Sequence, residues 1–554
     1  MQIGNVKRMH KQITLSFFWL SFLCLTKPGI FAQNNAAHLT PRINRYAPKI
    51  LKLSVGEYDN RVRAVWIGQM AAAIMGWPFE HHTASVKWIS QLPEPYNHQD
   101  YAPVDDDWYY EMVALRAFEK YGPGLTVQQL GEQWKENSCG TWGSSEQARL
   151  LINKGILPPN SGSPMYNKLW WTIGSQFSAD IFGALAPGLP NVAAKMAREY
   201  GHINGYAEGT DGAVFVAGMV SLGFTEKDPK VIVQKAAKLI SPRSPYRKCI
   251  DLVIRLAEEG KSAKEINNAT EDRWHSEYPA TNNAVANGGI IAASLWFGRG
   301  DFLKTVNLAY AAADFTDADC NAANAASVIG AMRGLKAIPG DLVRSFGDRI
   351  KGDKLGDVVL TPAVDERISL LSRRTVVVGK KILENNGARF SEDMINITIE
   401  NPKTQSAELF ELGDLTKYWN PAWTLERAGY GGAGGGMPGI RGNTYLDGNV
   451  LATYPRDEIR GLVLTRKLKV NGEKQISFEA GVDPNRAWDL EIFINNKKMF
   501  GNIIEGKEKE RQWQTIRVDI SSFEGQTIMV RLYQRVLLNG KEAGNGYWKN
   551  IEIR

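Results

Sequence analysis

RVRAVWIGQMAAAIMGWP, residues 61–78, is the stretch that decides how most of this chain reads. It is rich in Ala, Met, Ile and Val and stops at Gly76-Trp77-Pro78, so it predicts an apolar helix with a sharp end. Outward from it the same period continues. Trp108, Met112, Leu115 and Phe118 recur at helical spacing, and Gly122-Pro123 ends that run. Residues 322–332 are nearly all small, which suits a buried helix whose neighbours approach closely. Strand-like alternation is scarce between 46 and 389, and this region predicts a compact all-α domain. From about Met394 the period becomes two. Ile395, Ile397 and Ile399 alternate with polar residues, and 461–470, 475–480, 490–495, 515–520 and 527–533 repeat the pattern between turns such as Asn471-Gly472 and Asn539-Gly540. The expectation is a multidomain α and β chain: a helical domain over 46–389, an irregular connector over 390–439 and an antiparallel β-sandwich over 440–554.

The bulk numbers exclude some classes. The chain has 554 residues, 44% apolar and 23% charged, enough for two or three domains. Its formal charge is +7, but Lys7, Arg8, Lys11 and Lys27 lie in residues 1–33, and without them the balance is +3. No basic run supports nucleic-acid binding. Residues 1–33 read as a secretory signal: basic residues, the apolar run 13–25, then Phe31-Ala32-Gln33 as a cleavage region. The run is short for a spanning helix, so stable membrane insertion is not expected and the product would be secreted or periplasmic. Leu23 before Cys24 speaks against a lipoprotein. Cys139, Cys249 and Cys320 remain, too few for a disulfide framework.

Two acidic knots carry the chemistry. Asp105-Asp106-Asp107 opens one helix and Asp317-Ala318-Asp319-Cys320-Asn321 opens another. One Asp suffices to cap a helix. Three in a row repel unless a cation or donors compensate, and oxygen-only clusters suit hard divalent cations. Glu80, just past the apolar helix, is either an acid–base residue in an aromatic setting or a solvated loop glutamate. His81 and His82 lack the spacing of a zinc site. Residues 201–212, with His202, Asn204, Gly205, Tyr206, Glu208 and Asp211, are polar and glycine-rich and read as a substrate loop. The run Gly429-Tyr430-Gly431-Gly432-Ala433-Gly434 formally matches G-x-G-x-x-G. No clear strand precedes it and Pro438 follows, so it reads as a loop.

Together these pieces resemble the ADP-ribosylglycohydrolase family over roughly residues 60–345. Gly76-Trp77-Pro78-Phe79-Glu80 matches its G-x-P-x-E pattern. Asp105-Asp106-Asp107-Trp108 matches its T-D-D-T motif, and Asp317-Ala318-Asp319-Cys320-Asn321 its D-T-D motif. The resemblance implies two Mg²⁺ ions, with Mn²⁺ or Ca²⁺ as alternatives, held among Asp105, Asp106, Asp107, Asp317 and Asp319. It implies Glu80 beside the scissile bond, catalytic roles for Asp106 and Asp107, Asn321 near the substrate, and cleavage of an N- or O-glycosidic bond; Trp108, where the motif has Thr, would close the site or stack on a sugar. The substrate would be a carbohydrate or an ADP-ribosyl-type small molecule. The chain departs from the pattern: Asp105 and Trp108 replace the two Thr, Ala318 replaces the Thr between the aspartates, and Ala72-Ala73 stand where Gly-Asp is frequent. The rival expectation is a non-catalytic glycan-binding protein on a degenerate hydrolase fold. The C-terminal part looks like a carbohydrate-binding sandwich. There Trp488, Trp513, Tyr547 and Trp548 either stack on sugars or, for most of them, fill the core.

Overall fold

The computed structural model describes residues 49–275, 277–431, 442–537 and 541–554. The leader read over 1–33 and most of the glycine-rich run after Gly431 lie outside the described residues.

The opening helix, Val55–Gly76, starts where the Ser54 hydroxyl accepts the Glu57 N–H at 3.1 Å. From Ala64 to its end every residue is buried, because apolar side chains surround the helix rather than lining one face. Helix Ala318–Arg333 packs along it, buried from Ala318 to Met332. Small residues set the spacing: a Cβ on Gly330 would lie 2.5 Å from the Ala64 carbonyl oxygen. Further helices, among them Asp106–Tyr121, Gly143–Asn153, Glu208–Gly223 and Ala284–Gly298, close around this pair.

Two small sheets, unforeseen in a domain read as all-α, edge this body. Strand β1 (Ile50–Ser54) leads into the opening helix, and β2 (Ala102–Pro103) precedes the first acidic knot. Strands β3 (Arg349–Leu355) and β4 (Val358–Arg367) form an antiparallel hairpin, with β2 parallel to β3. Strands β5 (Arg389–Ser391) and β6 (Met394–Thr398) join β1 in the order β1-β6-β5. The alternation of Ile395 and Ile397 therefore serves the helical body, where these residues face Leu53 and Leu51.

The C-terminal half is two antiparallel five-stranded sheets. The first, ordered β13-β12-β15-β10-β7, contains β7 (Thr424–Glu426), β10 (Leu462–Lys469), β12 (Ala487–Ile494), β13 (Lys497–Glu505) and β15 (Thr527–Val536). The second, ordered β14-β11-β16-β9-β8, contains β8 (Tyr445–Asp447), β9 (Val450–Thr453), β11 (Gln475–Val482), β14 (Gln512–Asp519) and β16 (Gly546–Ile553). Alternate residues face inward, as in Leu490, Ile492 and Ile494 against Phe478 and Ala480. Trp488 and Trp548 meet across the sheets at 5.2 Å and are fully buried, so they fill the core. Trp513 and Tyr547 carry Lys549 and Arg511 over their rings.

The two halves share a core. Trp171 and Tyr278 of the helical body pack on Tyr430, the latter pair stacked at 4.8 Å, and Trp170 packs on Phe410. The connector crosses the helical body as a strap: Glu400 and Gln405 donate backbone N–H groups to the Gly188 and Leu239 carbonyls. Cys139, Cys249 and Cys320 are buried free thiols. No helix among the described residues is long and apolar enough to cross a membrane.

Candidate active site

The helix pair brings the acidic knots together. Helix Asp106–Tyr121 and helix Ala318–Arg333 both open onto one cavity of about 520 Å³. The end of the opening helix fixes the second of them: a Cβ on Gly76 would sit 2.7 Å from the Asp319 Cα, so only glycine permits this approach. Glu80, His81, Asp105, Asp106, Asp317, Asp319 and Cys320 line one wall. Residues 142–146, 172–174, Phe177 and Asn282 form the other.

The two capping aspartates behave differently. Asp105 accepts the Asp107 N–H at 3.2 Å and so serves its own helix. Asp317 makes no such side-chain cap. One oxygen each of Asp107, Asp317 and Asp319 is buried without a hydrogen-bond partner. Buried carboxylate oxygens left bare are costly unless something cationic meets them. Three ligand sets have donor atoms within 4.8 Å of one another: Asp105 with Asp106 and Asp107; Asp107 with Asp319 and Cys320; Glu80 with His81 and Asp317. The donors are mostly carboxylate oxygens, the chemistry a hard divalent cation takes, and the residues fit such an ion.

Electrostatics point the same way. Burial first, and then neighbouring carboxylates, hold Asp106, Asp107 and Asp319 well above the ordinary carboxyl range. Asp317 is the exception. Burial raises it, but the His81 hydrogen bond and charge outweigh burial and bring it below that range. His81 Nε2 lies 3.5 Å from Asp317 Oδ2, and its Nδ1 lies 3.9 Å from Glu80 Oε1. Glu80 is pushed up to about 7, by burial and then by Asp317. The Cys320 thiol is directed at Asp107 Oδ2 at 3.4 Å.

Residues 54–371 match the sequence model of the ADP-ribosylglycohydrolase family. The chain belongs to the ADP-ribosylglycohydrolase family. A solved structure described as an ADP-ribosylglycohydrolase-related protein complex is 14% identical, with 59% of this chain and 99% of that one covered and a TM-score of 0.41. The sandwich is similar to a family 35 carbohydrate binding module from an environmental isolate, at 15% identity over 18% of this chain and 74% of that one, TM-score 0.14. It is also similar to a family 35 module from Clostridium thermocellum, at 8% identity over 23% and 88%, TM-score 0.15. No curated protein matches.

In this member of the family, several residues expected at the substrate lie away from the acidic cavity. Trp108 is fully buried and donates its indole N–H to the Pro103 carbonyl, so it neither closes the cavity nor offers a face to a sugar. Asn321 is buried and donates to Asn287 Oδ1 at 2.6 Å. Residues 201–212 do not line the cavity, and most of their polar groups are paired inside the protein. His202 Nε2 lies 2.7 Å from Glu408 Oε1, Glu208 accepts the Tyr278 hydroxyl at 2.9 Å, and Asp211 pairs with Arg198 and Ser244. Gly205 packs on Ser175, and Tyr206 packs edge-on against Trp170. Asn204 comes nearest to the site: it donates to Ser145 Oγ and accepts from Ser175 Oγ, both at 2.8 Å. Ser145 is on the cavity wall, so Asn204 supports that wall from behind.

Sequence reasoning missed His81 and the whole opposite wall. The sequence around His81 lacks zinc spacing, and its partner Asp317 is distant in the chain. The wall at 142–146 and 172–174 carries no periodic or spacing signal.

Proposed function

We propose that this chain is a divalent-cation-dependent hydrolase that cleaves an N- or O-glycosidic bond at an anomeric carbon and acts outside the cytoplasm. The observation that carries this is the set of three partnerless carboxylate oxygens: those of Asp317 and Asp319 belong to the cavity wall with Glu80, and that of Asp107 belongs to a buried side chain directly behind them, against Asp319 and Cys320. Asp105, Asp106, Asp107, Asp317 and Asp319 would hold the ions; Mg²⁺ is the expected metal, with Mn²⁺ or Ca²⁺ as alternatives. Bound there, a divalent cation supplies charge stabilisation and a template for sugar hydroxyls.

The protein's own groups do the rest. Glu80 stands half exposed at the cavity, able to give a proton to the leaving atom as its bond to the anomeric carbon breaks. The water that adds to that carbon returns a proton to Glu80. His81, between Glu80 and Asp317, holds the orientation of both carboxylates. Residues 142–146 and 172–174 wall the sugar off from bulk water. The sandwich reads as an accessory that binds carbohydrate, a reading supported by its likeness to carbohydrate-binding modules.

Calorimetric titration with Mg²⁺, Mn²⁺ and Ca²⁺ tests the site on the parent and on Asp317→Ala/Asp319→Ala. Saturable binding in the parent, lost in the variant with its circular dichroism unchanged, is the expected result. Equal affinity in both sinks the assignment. A panel of glycosides beside an ADP-ribosylated peptide then tests the reaction; release of neither product leaves a binding protein.

A further inference from the structure

A second cavity, of about 370 Å³, adjoins the first. It is lined by Thr141, Trp142, Glu146, Arg149, Asp357 and Val358, and it shares Trp142 and Glu146 with the acidic cavity. Trp142 is therefore the partition between the two.

Three observations make this partition a built feature. Trp142 is half exposed, unlike the fully buried Trp66, Trp108 and Trp171 of the same helical body. Its backbone is fixed, because its carbonyl accepts the Ser145 and Glu146 N–H groups at 3.0 Å as helix Gly143–Asn153 begins. Its ring is braced from outside by the turn between β3 and β4. A Cβ on Gly356 would lie 2.9 Å from Trp142 Cζ2, and Gly356 has φ +55°, so only glycine lets the turn press so close.

The lining also has a charge character. Glu146 and Asp357 are acidic, and Arg149 is held by the Gly140 carbonyl and lies 4.0 Å from Glu146. Arg149 and His81 are the only cationic side chains lining either cavity among the described residues. A diphosphate would meet more acid than base there. A neutral sugar ring has what such a cavity offers: an aromatic face for its C–H side, and carboxylate and guanidinium groups for its hydroxyls.

We propose that the cavity beyond Trp142 is a second sugar subsite and that Trp142 is its platform, so that the substrate is a neutral glycoside of at least two rings. This rests on the reading of the acidic cavity as the place where the glycosidic bond is cut.

The test is calorimetric binding in Mg²⁺ buffer to the full chain, to Trp142→Ala and to Trp142→Phe. Methyl glucoside and methyl galactoside serve as one-ring probes, maltose, cellobiose and lactose as two-ring probes, and ADP-ribose as the charged probe. At least one two-ring probe should bind about ten-fold more tightly than its one-ring counterpart. That advantage should vanish in Trp142→Ala and persist in Trp142→Phe, with Mg²⁺ affinity unchanged and the circular dichroism of the folded chain retained. No two-ring advantage, an advantage indifferent to Trp142→Ala, or tighter binding of ADP-ribose than of every neutral probe would each overturn the proposal. Assaying the same mixtures for cleavage separates the two readings. A Trp142-dependent advantage without cleavage of any glycoside fails the hydrolase and keeps the subsite. Cleavage without that dependence does the reverse.

Discussion

Asp105 and Asp317 hold the same position in their helices, yet only Asp105 caps its helix with its side chain. The difference leaves one oxygen of Asp105 and both oxygens of Asp317 free of capping, and the crowding of carboxylates has a stability consequence. Asp319 is buried among like charges, so Asp319→Asn should stabilise the metal-free protein by about 1 kcal/mol, as relief of functional-site strain commonly does. Thermal melts with and without Mg²⁺ check this: the metal-free midpoint should rise while the Mg²⁺-induced shift disappears. Glu208 gives a pH prediction away from the acidic cavity. Burial pushes it up to about 8, and one of its oxygens has no partner. The folded state thus keeps a proton that the unfolded chain loses near 4.5. Stability is full below that value and falls as pH rises through 8, by up to ~1.4 kcal/mol per pH unit. Urea midpoints at pH 5 and pH 8 should differ less in Glu208→Gln than in the parent. Glu111, also raised to about 8 by burial, and the raised carboxyls of the acidic cavity retain the remaining slope.

At the scale of elements, the site depends on how closely two helices meet. Gly76→Ala would force the start of helix Ala318–Arg333 away from the opening helix. A cost of about 1–3 kcal/mol is expected, together with weaker Mg²⁺ binding, because the displaced turn carries Asp317 and Asp319. Chemical denaturation and calorimetry on this variant measure both. These helices and their acidic starts were legible because an apolar run, a cap and a breaker coincide in each. The β3–β4 hairpin was not. Most of its residues face water, so it lacks the apolar alternation by which a half-buried strand is recognised. Residues 201–212 misled for a related reason: buried polar residues satisfied by distant partners look, in sequence, like polar residues awaiting a ligand. Asn204 and Asp211 differ from a substrate loop only in what the fold places opposite them.

At the scale of the molecule, the connector is a fastening. Glu408 accepts from Thr210 Oγ1 and the Ala207 N–H, and it lies against His202 and Arg198. Burial raises its pKa, but His202 and Arg198 outweigh that and hold it below the ordinary carboxyl value. Glu408→Ala would leave Arg198 its pair with Asp211 but strip the Ala207 N–H and His202 of their carboxylate partner, at a cost of about 1–3 kcal/mol. Limited proteolysis should then cut within 399–411 in the variant and not in the parent. The stack of Tyr278 on Tyr430, with Trp170 and Trp171 beside it, reaches further. A gene shortened to end near residue 390 would encode every acidic residue of the cavity and still expose this aromatic face to water. Such a product should bind a hydrophobic dye and precipitate at concentrations where the full chain stays in solution. On this expectation, the sandwich also serves to keep the helical body in solution.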